Sequence, residues 1–342
     1  MKLSLRTAAL VCVLALSGAE GRADQTPEPI VTANVRLGRG INLGNALEAP
    51  VEGTWGVTLK PEYFRAIRAA GFDTVRLPTK WSAHAAKEAP YKLDAGFAAR
   101  VDWAVEQAKA NGLNIVLNVH HYEEMDKDPD ANLARLAAIW TQIAERYRKR
   151  PASVYFELYN EPHDALDAAK WNAAIPVLLA AVRKSNPTRA VIVGPVSWNA
   201  IRALDDLRLP ETDRNLIVTV HYYEPFKFTH QGAEWVKGAD QWPALRWTGS
   251  EAEKVAVRKD LEKAASWGRK HGRPVFIGEF GAYGKSDMAS RVAWTGFVRS
   301  EATRLRMSWA YWEFCAGFGA YDAKTGAWRA ELKTALVGAN TH

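Results

Sequence analysis

Cysteine is almost missing from this sequence: only Cys12 and Cys315 occur in 342 residues. Cys12 lies in an N-terminal segment expected to be removed, so an intrachain disulfide is excluded and the fold must stand on its core. Long apolar runs are scarce as well. The run from Ala8 to Leu16 is too short to span a membrane, and no stop-transfer pattern follows it. With Lys2 and Arg6 ahead of it and the small residues ending in Gly21, Arg22 and Ala23 behind it, the segment reads as a secretory signal. Cleavage is expected after Ala23, with Ala19 as the other option, which divides the chain into 1–23 (signal) and 24–342 (mature domain). Cys12 follows Val11, where a lipid-anchor signal needs a small residue. The chain is therefore expected to be exported, extracellular or periplasmic, a monomer, and free of the membrane after processing.

Charge of one sign is also in short supply. The formal charge is +7; losing Lys2, Arg6, Arg22 and Glu20 leaves +5. The basic residues are scattered over helix faces without interleaved aromatics, which argues against nucleic acid as a partner. A Gly-rich dinucleotide loop, a low-complexity tract and a Pro/Ser-rich linker are all absent, so a single domain is expected.

What is present is alternation. Strand patterns at Gly40–Leu43, Phe72–Leu77, Asn114–Val119, Val154–Tyr159, Ala190–Val193, Leu216–Val220, Val275–Ile277 and Ser308–Tyr311 are separated by helical ones. "AGFAARVDWAVEQAKANG" and "AEKVAVRKDLEKAASWGRKHG" carry apolar residues at three- and four-residue spacing and close on Gly. Eight such units in one chain predict an α/β fold, a closed (β/α)8 TIM barrel of parallel strands. In that fold the chemistry sits at the C-terminal strand ends. Those ends read "GINLGNALE", "VRLP", "NVHHYEE", "LYNEPH", "GPVSWN", "TVHYYEPF", "IGEFGAY" and "WAYWEF", a concentration of polar and aromatic groups beyond what packing needs.

Two of these ends finish on carboxylates, Glu161 and Glu279. Opposite strands of one barrel mouth can bring such groups together, and a carboxyl pair sharing one cleft, with a proton on only one, is suited to cleaving a glycosidic bond. Taken singly, each could equally be a strand-end acid in an ion pair.

The ordered motifs "GINLGNALE", "VRLP", "VHHYEE", "FELYNEP", "HYYEPFKFTHQGAEW", "IGEFGAY" and "WAYWEF" resemble glycoside hydrolase family 5, and its bacterial endo-β-1,4-glucanases in particular, over nearly the whole mature chain. The resemblance implies a retaining, two-carboxylate hydrolase that needs no metal or cofactor and takes a β-glucan polysaccharide or oligosaccharide. It implies Glu161 as general acid/base and Glu279 as nucleophile. Arg76 would lie beneath Glu279 and lower its pKa, and Tyr223 would donate to the same carboxylate. His221 would sit beside Glu161, Asn160 would hold the sugar 2-hydroxyl, His120 would line the cleft and Trp312 would stack on a sugar ring. A mannanase, glucomannanase or xyloglucanase on the same scaffold is the alternative, and a catalytically silent glycan-binding barrel stands further back.

His121, Asn45, Glu48, His230, Trp235, Trp198 and Glu313 fall in the same stretches as candidate subsite residues. Each has a plainer reading: Trp198 and Trp235 as caps on the core, Glu48 as a loop brace. Trp103, Trp140, Trp171, Trp267 and Trp294 lie in helical patterns and are expected in the core. Glu157 shares strand parity with Glu161 and is expected to point inward as a structural carboxylate with a partner. Glu123, Glu124 and Asp126 read as a solvated loop. The "HH" pair at 120 and 121 raises a metal site, but neighbours on a strand point to opposite faces, which argues against one.

Overall fold

The computed structural model describes residues 28–338; the expected signal segment, with Cys12, lies outside them. Among the described residues eight strands pair in parallel in chain order, and the last closes on the first. They are β1 (Arg39–Asn42), β2 (Thr74–Leu77), β3 (Asn114–Asn118), β4 (Val154–Glu157), β5 (Val191–Val193), β6 (Leu216–Tyr222), β7 (Val275–Phe280) and β8 (Ser308–Tyr311). The predicted barrel is the observed one. β1 bonds both to β2, with Ile41 opposite Val75, and to β8, with Ile41 opposite Tyr311, so no edge is left unpaired.

Local sequence explains the helices between strands. Asp94, Asp128, Asp167 and Asp287 each accept a backbone N–H at the N-terminus of the helix that follows, and Ser250 with Glu253 forms a reciprocal capping box on Glu251–His271. Gly71 closes Pro61–Ala70 and Gly272 closes Glu251–His271, both in the left-handed region that a side chain resists. The outward faces of the strands and the inward faces of these helices form one continuous apolar core. Trp140, Trp171, Trp267 and Trp294 are buried in it, and Trp103 packs against its edge.

Inside the barrel, a smaller cluster of Val116, Tyr155, Ile192, Ile217, Phe276 and Ala310 is joined from below by Ala33 and Leu37 of the helix Ile30–Leu37. That helix closes the bottom. Tyr155 Oη donates to Ala33 O at 2.8 Å, and Asn34 Oδ1 accepts from Ser308 Oγ at 2.8 Å. Above this apolar layer the interior becomes ionic: Arg76 on β2 and Glu157 on β4 are fully buried and joined through two 2.7 Å bonds. No helix among the described residues is long and apolar enough to cross a membrane.

Candidate active site

Arg76 organises the floor of the barrel mouth. Besides Glu157, its guanidinium donates to Glu279 Oε1 at 2.6 Å, to Asn160 Oδ1 at 2.7 Å and to Asn42 Oδ1 at 2.9 Å. The ends of β1, β4 and β7 are thereby tied to one cation on β2. Glu157 has the inward direction that strand parity indicated, and the cation it pairs with is Arg76.

β6 and β7 carry the next layer. A β-bulge between Val220 and His221 shifts the register so that His221 lies opposite Glu279; bulges re-aim side chains in this way. His221 Nδ1 lies 2.7 Å from Glu161 Oε1, and Tyr223 Oη donates to Glu279 Oε2 at 2.8 Å. β4 stops pairing at Glu157, and Glu161 adopts a left-handed φ of 53° just before Pro162, so its carboxyl turns inward over the barrel. One carboxylate oxygen each from Glu161 and Glu279, with a ring nitrogen of His221, lie within 4.8 Å of one another.

The two carboxyls have different surroundings. Burial pushes Glu161 up to about 7, with Arg76 and His163 opposing. Burial also raises Glu279, opposed by His221, Arg76 and the Tyr223 hydroxyl. Arg76 does act to lower Glu279, as the sequence reading expected, but desolvation at this depth outweighs it and the net shift is upward. Glu279 nonetheless holds two direct charge-stabilising donors, Arg76 and Tyr223, so a single shared proton belongs on Glu161. Burial lowers His221 to about 4, opposed by Glu279 and aided by Arg76, so its imidazole is neutral at ordinary pH. Burial keeps the Tyr223 phenol well above its ordinary value, with Glu279 reinforcing it, so it remains a donor.

Glu161, His221 and Glu279 have a spacing at which ligand atoms could converge on a metal ion. Their atoms are already committed to one another, to Arg76 and to Tyr223, and a dication would face a fixed guanidinium 2.6 Å behind one ligand. The donor set fits a proton-sharing pair better than a metal centre.

Above this floor opens a cleft of about 650 Å³ lined by Asn45, Glu48, His120, His121, Glu161, Tyr223, His230, Trp235, Glu279 and Trp312 among others. His120 is buried, accepts at Nδ1 from Asn118 at 3.1 Å and lies nearly parallel to Trp312 at 5.9 Å. His121 also faces the cleft, as expected of a subsite candidate, and the pair does not diverge as strand neighbours would: β3 ends at Asn118, and a left-handed φ of 54° at His121 turns it back. Glu48 is buried and accepts the amides of Asn45 and Ala46, bracing the loop while lining the cleft. Trp235 is 60% exposed and is therefore no core cap.

Three residues lie elsewhere than expected. Glu313 is fully buried and accepts backbone N–H groups of Cys315, Ala316 and Phe318; it shapes the cleft wall and does not face the opening. Trp198 is half exposed but stands outside the cavity, stacked on His163 at 4.9 Å. Asp126, expected in a solvated loop, is buried, 3.7 Å from His163. Sequence reasoning missed Trp55, which meets His121 edge-on at 5.6 Å, and Tyr283; both line the cleft. The aromatic set between glycines in "EGTWG" was the available signal for Trp55.

Comparison with known proteins agrees with this geometry. The family model "Cellulase (glycosyl hydrolase family 5)" matches residues 39–317, and the chain belongs to that family. It is 32% identical over 299 residues to Endoglucanase H of Acetivibrio thermocellus, a match covering 87% of this chain and 32% of that protein; the chain thus spans about a third of that relative's length. Among solved structures it matches Thermotoga maritima Cel5A in complex with cellobiose at 46% identity and a TM-score of 0.89, covering 91% of this chain and 100% of that one. The same protein in complex with mannotriose matches at 45% identity, a TM-score of 0.89 and the same coverages.

Proposed function

We propose that this chain is an exported endo-β-1,4-glucanase that hydrolyses internal bonds of β-glucans with net retention. The observation that carries the reading is the pair Glu161 and Glu279, with oxygens within 4.8 Å and unlike surroundings. That separation supports direct attack, since inverting enzymes hold their carboxyl groups about 6.5–9.5 Å apart to admit a water. Glu279 attacks the anomeric carbon, the bond to the leaving oxygen breaks, and that oxygen takes the proton of Glu161. Water then attacks the glycosyl ester, giving its proton to Glu161 and releasing Glu279 as a carboxylate. Arg76 and Tyr223 hold Glu279 ionised and aimed, while His120 and Trp312 offer a polar edge and an aromatic face to the sugar. Export rests on the N-terminal pattern of Lys2, Arg6 and the apolar run.

A mannan or glucomannan is the second reading, favoured by the mannotriose complex of the 45% identical neighbour. Product release by residues 24–342 on carboxymethyl cellulose, barley β-glucan, glucomannan and mannan tests both, with Glu279→Ala as control. Hydrolysis of the glucans that disappears in the variant is expected. Silence on all four, or undiminished hydrolysis by Glu279→Ala, refutes the assignment.

A further inference from the structure

His221 has two ring nitrogens, and only one faces Glu161. The other, Nε2, is turned away from Glu161 and lies 3.2 Å from the side-chain nitrogen of Asn199. Asn199 is fully buried and belongs to an unusual turn: Ser197, Trp198 and Asn199 are left-handed in succession, with φ of 59°, 59° and 55°. Non-glycine residues resist that conformation, Asn least among them. The turn sends Trp198 outward and Asn199 inward.

The packing around this contact is close. A Cβ on Gly194 would come within 2.1 Å of Asn199 Oδ1, and one on Gly278 would lie 2.5 Å from Thr219 Oγ1 and 3.0 Å from His221 Nε2. Asn199 Oδ1 itself has no hydrogen-bond partner among the described residues. A buried carbonyl tolerates that better than a buried N–H does, so the amide is oriented with its NH₂ toward the ring. Nε2 then accepts, and the single proton of a neutral imidazole must sit on Nδ1.

We infer that Asn199 is a positioning residue that fixes the Nδ1–H tautomer of His221 and thereby directs the acid proton of Glu161 to the oxygen facing the substrate. An oxygen that accepts from Nδ1–H at 2.7 Å is a poor place for a proton. The proton therefore belongs to Oε2, which has no hydrogen-bond donor among the described residues and adjoins the cleft that Glu161 lines. The same Nδ1–H also suits the second step, because it holds the carboxylate while Oε2 receives a proton from water.

The inference rests on the acid/base role given to Glu161 above, and Asn199→Asp tests it. A carboxylate at this position accepts from Nε2–H, so the ring either changes tautomer or takes a second proton. In the first case the Glu161 proton moves to the wrong oxygen; in the second the new cation weakens its hold on any proton. With general acid catalysis worth about 10²–10⁴ in rate, kcat/KM for cellotetraose should fall roughly tenfold or more. For 2,4-dinitrophenyl β-cellobioside, whose leaving group departs without a proton, it should stay within about twofold, since only the acid step is weakened. Equal losses on both substrates, or none on either, overturn the inference. Nitrogen-15 spectra of the histidine ring give a readout that needs no turnover. The proton of His221 should lie on Nδ1 in the wild type and leave that pattern in Asn199→Asp; a wild-type proton on Nε2 overturns the proposal even if no substrate is cleaved. Wild-type inactivity with the Nδ1–H pattern present would instead sink the hydrolase reading.

Discussion

Replacing Glu161 by Gln should do two things at once: abolish turnover of unactivated substrates and stabilise the protein at alkaline pH. A carboxyl whose pKa rises on folding binds its proton more tightly in the folded chain. Its contribution is therefore fully present below the ordinary value of 4.5 and declines as pH climbs toward about 7. Across that interval, at about 1.36 kcal/mol for each tenfold in proton affinity, the ceiling is roughly 3 kcal/mol. The side chain is 23% exposed, and solvent screening reduces the expectation to about 1–2 kcal/mol. Gln keeps the shape and never ionises. Urea unfolding of wild type and Glu161→Gln at pH 8 and at pH 4.5 measures the difference directly, because Glu48, Glu313 and the other titrating groups are common to both. The variant should be more stable by that amount at pH 8, and the advantage should vanish at pH 4.5. An equal gain at both pH values, or none at pH 8, would refute burial as the cause of the raised pKa. For the same reason wild-type kcat/KM should fall as pH rises through about 7.

Two further outcomes follow from the geometry. Arg76→Met leaves Glu157 and Glu279 buried without their cation, and unfolding should show a loss of about 3–5 kcal/mol, partly recovered in Arg76→Met with Glu157→Gln; a loss under about 1 kcal/mol would contradict the ionic layer. Trp55→Ala removes an aromatic that is 42% exposed, so the melting temperature should hardly move while KM for cello-oligosaccharides rises several-fold, as truncating a contact aromatic by more than about 1 kcal/mol implies. An unchanged KM would remove Trp55 from the binding surface.

The fold was legible because both periodicities were strong. The eight predicted strands overlap the eight of the barrel, and motif ends such as "NEP" and "GEF" fall at the mouth because barrel topology leaves no other place for them. The helix Ile30–Leu37 escaped because eight residues carry little periodic signal. The site was readable where side chains leave from regular strands, as at Arg76 and Glu157. It was less readable where the backbone departs from the strand: strand alternation would part His120 from His121, but the strand ends at Asn118 and both line the cleft. Glu313 and Trp198 occupy loops whose course depends on backbone hydrogen bonds and left-handed residues that sequence spacing does not encode. Asn199 had no signal at all, since its importance lies in which ring nitrogen it meets.

The double grip of Arg76 has a consequence for charge balance through the proposed reaction. Before attack, one guanidinium faces two carboxylates, Glu157 and Glu279, and the buried trio carries a net negative charge that favours a sugar becoming positive. When Glu279 becomes an ester its charge is gone, and a guanidinium held by that group alone would be stranded as a naked cation next to the carbon that water must attack. Glu157 prevents this: bonded through both oxygens at 2.7 Å, it leaves a neutral pair behind. The barrel floor thus passes from minus one to zero and never turns positive, so neither half of the cycle works against an opposing field.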